Sequence, residues 1–146
     1  MKRPGEYSTF DVIKLFDMKR GRLKNWIEQG FITPTFQSPH GAGLKSYFDK
    51  RGLYSLRLFQ RFLDLGIKRE LASEWIKIFE KVNPAQHGSG DPDFILLERS
   101  KNDITLIKLH FAENGDLTIK KSNQVDDVFV INFENIRKHV DGLLKD

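Results

Sequence analysis

The sequence predicts an α+β protein with a helical first part and a smaller second part of antiparallel strands and one helix. Apolar residues recur at helical spacing through residues 1–82, and runs with strand character begin after residue 92. Residues 83–92 are rich in Gly, Pro and Ser, which is typical of a linker. Residues 1–82 carry 16 Lys and Arg against 9 Asp and Glu, whereas residues 83–146 carry 8 against 11. We therefore predict a basic domain over 1–82, a linker over 83–92 and an acidic domain over 93–146.

The composition excludes several classes of protein. A chain of 146 residues with 39% hydrophobic residues can bury a core, so a disordered protein is not expected. Because there are no cysteines, disulfides and thiolate metal sites are excluded, and the four histidines show no ligand-like spacing. No metal or other cofactor is therefore expected. No membrane span or export signal is recognisable, so we expect a cytoplasmic protein without a membrane partner.

The first two predicted helices are short and joined by a tight turn. Ser8 or Thr9 can cap a helix that runs to about residue 16. After a turn at 17–19, a second helix covers 19–29, and Gly30 can adopt the left-handed conformation that ends it. This arrangement is typical of a helix-turn-helix.

The second helix presents an apolar stripe and an opposite polar, basic face. The stripe consists of Leu23, Trp26 and Ile27. The candidate DNA-binding side chains of this helix are Lys19, Arg20, Arg22, Lys24 and Asn25. A helix fits the major groove, where Arg can pair with guanine and Asn with adenine, while Lys is suited to phosphates. For these residues taken alone, a solvated helix face is the simpler interpretation.

The segment after the second helix predicts a two-stranded wing. Residues 31–36 are expected to be extended, and 37–43 contain the Gly and Pro of a loop tip. A returning strand over 44–48 would place Lys45 and Tyr47 on one face, because side chains two residues apart in a strand point the same way. Lys45 and Tyr47 are the wing's candidate phosphate-binding residues.

Two longer helices complete the first part. The third covers about 49–65 and the fourth about 68–82. The residues expected to be buried in the third are Leu53, Leu56, Phe59, Phe62 and Leu63. Those expected in the fourth are Leu71, Trp75, Ile78 and Val82. Both stripes are interpreted as core packing.

In the second part, the sequence predicts strands at 94–99, 104–111, 117–121 and 128–131, with a hairpin turn at 113–116. Asn132 can cap a final helix whose apolar face carries Phe133, Ile136, Val140, Leu143 and Leu144. A unit of about 55 residues is marginal by itself, so we expect it to pack on a partner, most simply a second copy in a homodimer.

The first part resembles the MerR-type winged-helix transcriptional regulators over about residues 7–80. The resemblance rests on residues 9–16, on Leu23–Pro34, on Gly43–Tyr47 and on the Leu65-Gly66 pair that closes the third helix. It implies that Lys24 lies where the family has an Arg on the DNA backbone, that Asn25 lies at a Tyr position and that Trp26 is the buried aromatic. It also implies that Lys45 and Tyr47 occupy the wing positions that hold phosphates. At both Arg positions this chain has Lys, which keeps the charge and loses the fork-shaped donor set.

The resemblance implies a regulator that binds double-stranded DNA as a homodimer, with helix 19–29 in the major groove and the 35–47 wing on phosphates. The family's long dimerisation helix and its sensing cysteines are absent from this sequence. The operator, any small-molecule effector and the sign of regulation stay open. The alternative is a MerR-like adaptor that binds a partner protein through its second part and does not act on DNA. No enzyme is expected, because no nucleophile and base, metal set or nucleotide motif is evident.

Overall fold

The computed structural model describes residues 5–37, 46–82, 91–100, 105–110, 116 and 125–145. Over these ranges the chain forms five helices and two three-stranded antiparallel sheets, which confirms the α+β class. Most of the predicted linker lies outside the described residues, as do the predicted strand 117–121 and most of the hairpin turn before it.

The helices are α1 (Thr9–Leu15), α2 (Arg20–Glu28), α3 (Lys50–Asp64), α4 (Arg69–Val82) and α5 (Phe133–Leu143). The strands are β1 (Tyr7–Ser8), β2 (Phe36–Gln37), β3 (Ser46–Phe48), β4 (Phe94–Ser100), β5 (Thr105–His110) and β6 (Val125–Asn132). All five helices were predicted, and their ends agree with the predicted ones to within about two residues.

The chain divides into two compact units, Met1–Ser73 with His139–Asp146 and Glu74–Lys138. This division follows spatial contacts, and it differs from the predicted domains 1–82 and 93–146 in its assignment of α4 and of the end of α5. Within the second unit, the rings of Trp75 of α4 and Phe129 of β6 lie 5.8 Å apart. The domain boundaries drawn from the sequence stay a prediction.

In the first unit, a capping box starts α1. The hydroxyl of Ser8 accepts a hydrogen bond from the backbone N–H of Asp11 at 3.1 Å, and the carboxylate of Asp11 accepts one from the N–H of Ser8 at 3.0 Å. After α1 the chain turns through Asp17, whose φ of 50° lies in the left-handed region that Asp tolerates better than most residues. The turn predicted at 17–19 therefore begins at this residue.

The end of α2 is set by Gly30, which has the left-handed φ of 78° expected for it. The backbone N–H groups of Phe31 and Ile32 both donate to the carbonyl of Trp26, at 2.9 and 3.3 Å. These two bonds satisfy the Trp26 carbonyl, one of the last carbonyl groups of a helix, which lack partners within the helix.

A small sheet of order β1-β3-β2 follows α2 in the first unit. The two predicted strands pair antiparallel, with Phe36 opposite Tyr47. The predicted two-stranded wing lacked one strand of this sheet, because β1 adds a third strand in which Tyr7 pairs with Phe48. A strand of only two residues carries no alternating pattern that sequence reasoning can detect.

The N-terminus of α3 is held by the side chains of Thr35 and Asp49. The hydroxyl of Thr35 donates to the Asp49 carboxylate at 2.9 Å, and this carboxylate also accepts from the N–H of Gly52 at 2.8 Å. Four of the five core residues predicted for α3 are buried, whereas the fifth, Leu63, is half-buried. The four buried residues are Leu53, Leu56, Phe59 and Phe62.

In the second unit, β4 lies between β5 and β6. The buried side chains of β4 are Ile95, Leu96, Leu97 and Glu98. Because β4 has a neighbour on each edge, Leu96 pairs with both Lys108 and Val130. The Lys108 ammonium lies 3.0 Å from the buried carboxylate of Glu98 and compensates its charge.

The buried stripe predicted for α4 was partly wrong. The residues of α4 that are buried are Ala72, Ser73, Trp75, Ile76 and Phe79. Leu71 and Ile78 are half-buried and Val82 is 38% exposed. The apolar residues of α4 span about 160° of its circumference, and the predicted stripe lies along one edge of this arc, whereas the buried residues are centred on the other side. The rings of Phe79 and Phe133, 5.2 Å apart, show which face packs.

Helix α5 begins as predicted, because the side-chain oxygen of Asn132 accepts a hydrogen bond from the N–H of Asn135 at 3.1 Å. Phe133, Ile136 and Val140 are buried, and Leu143 is half-buried. The last turns of this helix belong to the first unit.

Candidate functional site

Helix α2 is fixed on the first unit by its apolar stripe. Leu23 is fully buried and Trp26 is 6% exposed. The indole of Trp26 packs edge-on against Phe59 of α3. Ile27, the third member of the predicted stripe, is half-buried. Since one side of α2 is held inward, its remaining circumference faces solvent.

That outer surface, which we call the basic arc, consists of Lys19, Arg20, Gly21, Arg22, Lys24 and Asn25. All six residues are exposed, and five of them are the predicted α2 site residues. The Lys24 ammonium lies 3.9 Å from the carboxylate of Glu28, and with side chains 77% and 64% exposed this pair adds little stability. The cationic side chains of the arc are therefore accessible to a ligand.

The arc has two flanks and a centre. Arg20 and Lys24 line a groove of about 410 Å³ on one side of α2. Arg22 lies on the other side, where it lines a separate cleft. Gly21 and Asn25 lie between the flanks, since successive helix residues are about 100° apart. An additional Cβ on Gly21 would meet no atom within 4 Å, so the backbone there is open to close approach.

The N-terminus of α2 has no acidic or hydroxyl cap. Lys19 occupies the N-cap position, and its side chain makes no capping hydrogen bond. No acidic residue lies in the first turn of α2. The first-turn N–H groups and the positive end of the helix dipole are therefore combined with basic side chains, which favours an anion such as a phosphate.

Of the two predicted wing residues, the structure describes Tyr47 and not Lys45. Tyr47 is half-buried in the central strand β3, and its ring centroid lies 6.4 Å from that of Phe36. Lys45 lies outside the described residues, so the shared face predicted for Lys45 and Tyr47 stays a prediction.

Sequence reasoning missed Phe10, which lines the groove beside Arg20 and Lys24. This ring is 59% exposed, and the ammonium of Lys14 lies 4.4 Å from its centroid. Phe10 lies on the side of α1 opposite the buried Val12. A single exposed apolar residue is normal on a protein surface, so its position in the sequence does not by itself indicate a contact surface.

In the part of the chain that the structure describes, no three His, Asp or Glu side chains are grouped so that they could hold a metal ion. None of the described helices is long and apolar enough to cross a membrane. Neither a scan against protein-family models nor a search of curated proteins finds a match to this chain.

Proposed function

We propose that this protein is a DNA-binding transcriptional regulator with a winged helix-turn-helix similar to that of the MerR-type regulators. The observation that carries the proposal is the exposed basic arc of α2, turned outward by the buried Leu23 and Trp26. A regulator of this kind acts in the cytoplasm on double-stranded DNA.

The distribution of side chains around α2 suits the major groove. The groove is about 12 Å wide and a helix with its side chains is about 10–12 Å across, so both flanks of an inserted helix approach phosphates. Arg20 and Lys24 on one flank and Arg22 on the other are available to contact the two strands. Asn25 at the centre is available to a base edge, where its amide can pair with adenine.

The segment 35–47 is proposed to act as the wing. Lys45 and Tyr47 would hold phosphates beside the groove and fix the position of α2 without reading sequence. Lys45 would contribute as a point charge, since a lysine lacks the two-pronged geometry of an arginine.

Two copies of the chain are proposed to bind one operator. A single α2 reads only a few base pairs, and a two-fold dimer doubles the contacts and matches half-sites about one helical turn apart. The second part of the chain is the proposed dimerisation unit.

The proposal is tested by selecting bound duplexes from a random pool with the purified chain and measuring the mass of the complex. We expect an enriched motif with two-fold symmetry and two chains per duplex. The Arg22→Gln variant should bind the selected duplex more weakly, whereas Arg61→Gln, an exposed arginine of α3 outside the arc, should bind it like the wild type. If no duplex is enriched and the chain captures one partner protein in stoichiometric amount, the adaptor hypothesis would replace the regulator hypothesis.

A further inference from the structure

The first unit contains a second concave site, which we call the arginine cleft. It has a volume of about 630 Å³. Its lining includes the side chains Arg22, Trp26, Arg57, Asp64, Arg69 and His139. These residues come from α2, α3, α4 and α5, so the fold gathers them from distant parts of the sequence.

Two of the three guanidinium groups are held in place by neighbours. Arg57 has a side chain only 26% exposed, and its guanidinium lies 3.4 Å from the amide oxygen of Gln60 and 3.9 Å from the carboxylate of Asp64. Arg69 lies over the ring of Phe31, 5.3 Å from its centroid. Both side chains have therefore lost part of their conformational freedom before any ligand binds, which lowers the cost of binding.

The charge of the cleft is not balanced by the protein. Three arginines line it and Asp64 is the one carboxylate among its lining residues. Elsewhere in the described ranges, no carboxylate lies within ion-pairing distance of Arg22 or Arg69. A concave surface with excess positive charge concentrates anions, and guanidinium groups match the oxygens of a phosphate with paired hydrogen bonds.

We propose that the arginine cleft binds the phosphate group of a small phosphorylated molecule. A volume of about 630 Å³ lies within the range of small-molecule sites, about 300–1,000 Å³. The phosphates of a duplex are contacted by side chains that protrude, whereas the Arg57 side chain is mostly covered. Trp26, which is 6% exposed, contributes the small accessible part of its side chain to the lining.

The cleft also connects this ligand to the proposed function. Arg22 belongs both to the cleft and to the basic arc of α2. A phosphate that engages Arg22 withdraws it from DNA, so the ligand and the duplex weaken each other's binding by the same factor. This coupling rests on the DNA-binding proposal, whereas the ligand site itself does not.

The site is tested without DNA by isothermal titration calorimetry of the full chain with pyrophosphate, with adenosine monophosphate and with adenosine. We expect saturable binding of the two phosphate compounds at one site per chain, and none of the neutral nucleoside. The variants Arg57→Gln and Arg69→Gln should each weaken binding about tenfold, since each removes a charge-assisted hydrogen-bond donor. Arg61→Gln, the same charge change on α3 outside the cleft, should leave the affinity unchanged.

Circular dichroism melting of each variant checks folding, and Arg57 and Arg69 provide two independent tests should one variant unfold. Absence of saturable phosphate binding, or equal affinity in wild type and both Gln variants, would overturn the proposal. The proposal would also be overturned if the wild-type chain bound neither phosphate compound while Arg57→Gln and Arg69→Gln lost duplex binding. The cleft would then bind the phosphates of DNA. If the chain bound the phosphate compounds but no duplex, the ligand-site proposal would stand and only the DNA-binding proposal would be rejected.

Discussion

The indole of Trp26 meets the ring of Phe59 edge-to-face, with centroids 5.0 Å apart and an interplanar angle of 74°. Phe59 is fully buried in α3, so this contact ties α2 to the core of the first unit. Aromatic pairs in this geometry are favourable beyond the area they bury. The contact fixes the rotation of α2 about its own axis, and the rotation decides which residues face solvent.

Replacing Trp26 with Ala should therefore destabilise the fold strongly. Truncation of a buried aromatic typically costs about 3–5 kcal/mol, measured as the free energy of unfolding in urea. Trp26→Phe should cost clearly less, because an aromatic ring remains. Lys24→Ala, an exposed neighbour on α2, should change stability by no more than about 0.5 kcal/mol. A loss below about 1 kcal/mol in Trp26→Ala would mean that α2 is not anchored by this ring.

Gly52 is predicted to be intolerant of any side chain. A Cβ there would lie 2.6 Å from the hydroxyl oxygen of Thr35, and moving that hydroxyl would disturb its hydrogen bonds with Asp49. We expect Gly52→Ala to lower the unfolding free energy by about 1–3 kcal/mol. Gly21→Ala is the matched control, since its Cβ would meet nothing within 4 Å and Ala favours helix by about 0.5–1 kcal/mol. Equal effects of the two substitutions would contradict the packing described for Gly52.

The end of α5 is attached to α3 by a hydrogen bond from the Tyr54 hydroxyl to the Asp141 carboxylate, at 2.6 Å. Removing it with Tyr54→Phe should cost about 1.5 kcal/mol, because hydrogen bonds to charged groups contribute about 1.5–3 kcal/mol. The Lys50 ammonium, 3.3 Å from the same carboxylate, keeps Asp141 from being left unpaired. Tyr47→Phe is the matched control and should leave the free energy of unfolding nearly unchanged. If Tyr54→Phe also left it unchanged, the contact between Tyr54 and Asp141 would not hold α5.

Much of the first unit follows from local sequence signals. Ser8 as a cap and Gly30 as a left-handed terminator fix the ends of α1 and α2, because capping depends on neighbours within one turn. The inward turn of Trp26 follows from helical spacing. The α4 face was misjudged because the partners Phe129 and Phe133 are far away in sequence.

The arginine cleft was beyond the reach of sequence reasoning for the same reason. Arg22, Arg57, Arg69 and His139 share no motif or spacing, and only the fold brings them together. The basic arc could be predicted because one short helix carries all of its members. Lys45 stays a prediction, since it lies outside the described residues.

Asn25, at the centre of the basic arc, should affect sequence preference more than overall affinity. Asn25→Ala should relax discrimination at one position of the selected motif by about 1–3 kcal/mol. The measurement is a competition between the selected duplex and single-base variants of it. Uniform weakening across all variants would assign the Asn25 side chain to a phosphate instead of a base.

The most direct test of the basic arc is the association constant for the selected duplex, measured by fluorescence anisotropy over a series of salt concentrations. The arc predicts that affinity falls steeply with salt, and that Lys24→Gln makes the logarithmic slope shallower by about one unit. Lys77→Gln, an exposed lysine of α4 outside the arc, should leave the slope as it is in the wild type. A wild-type affinity that does not respond to salt, or a slope that is the same in folded Lys24→Gln and wild type, would contradict DNA binding by α2.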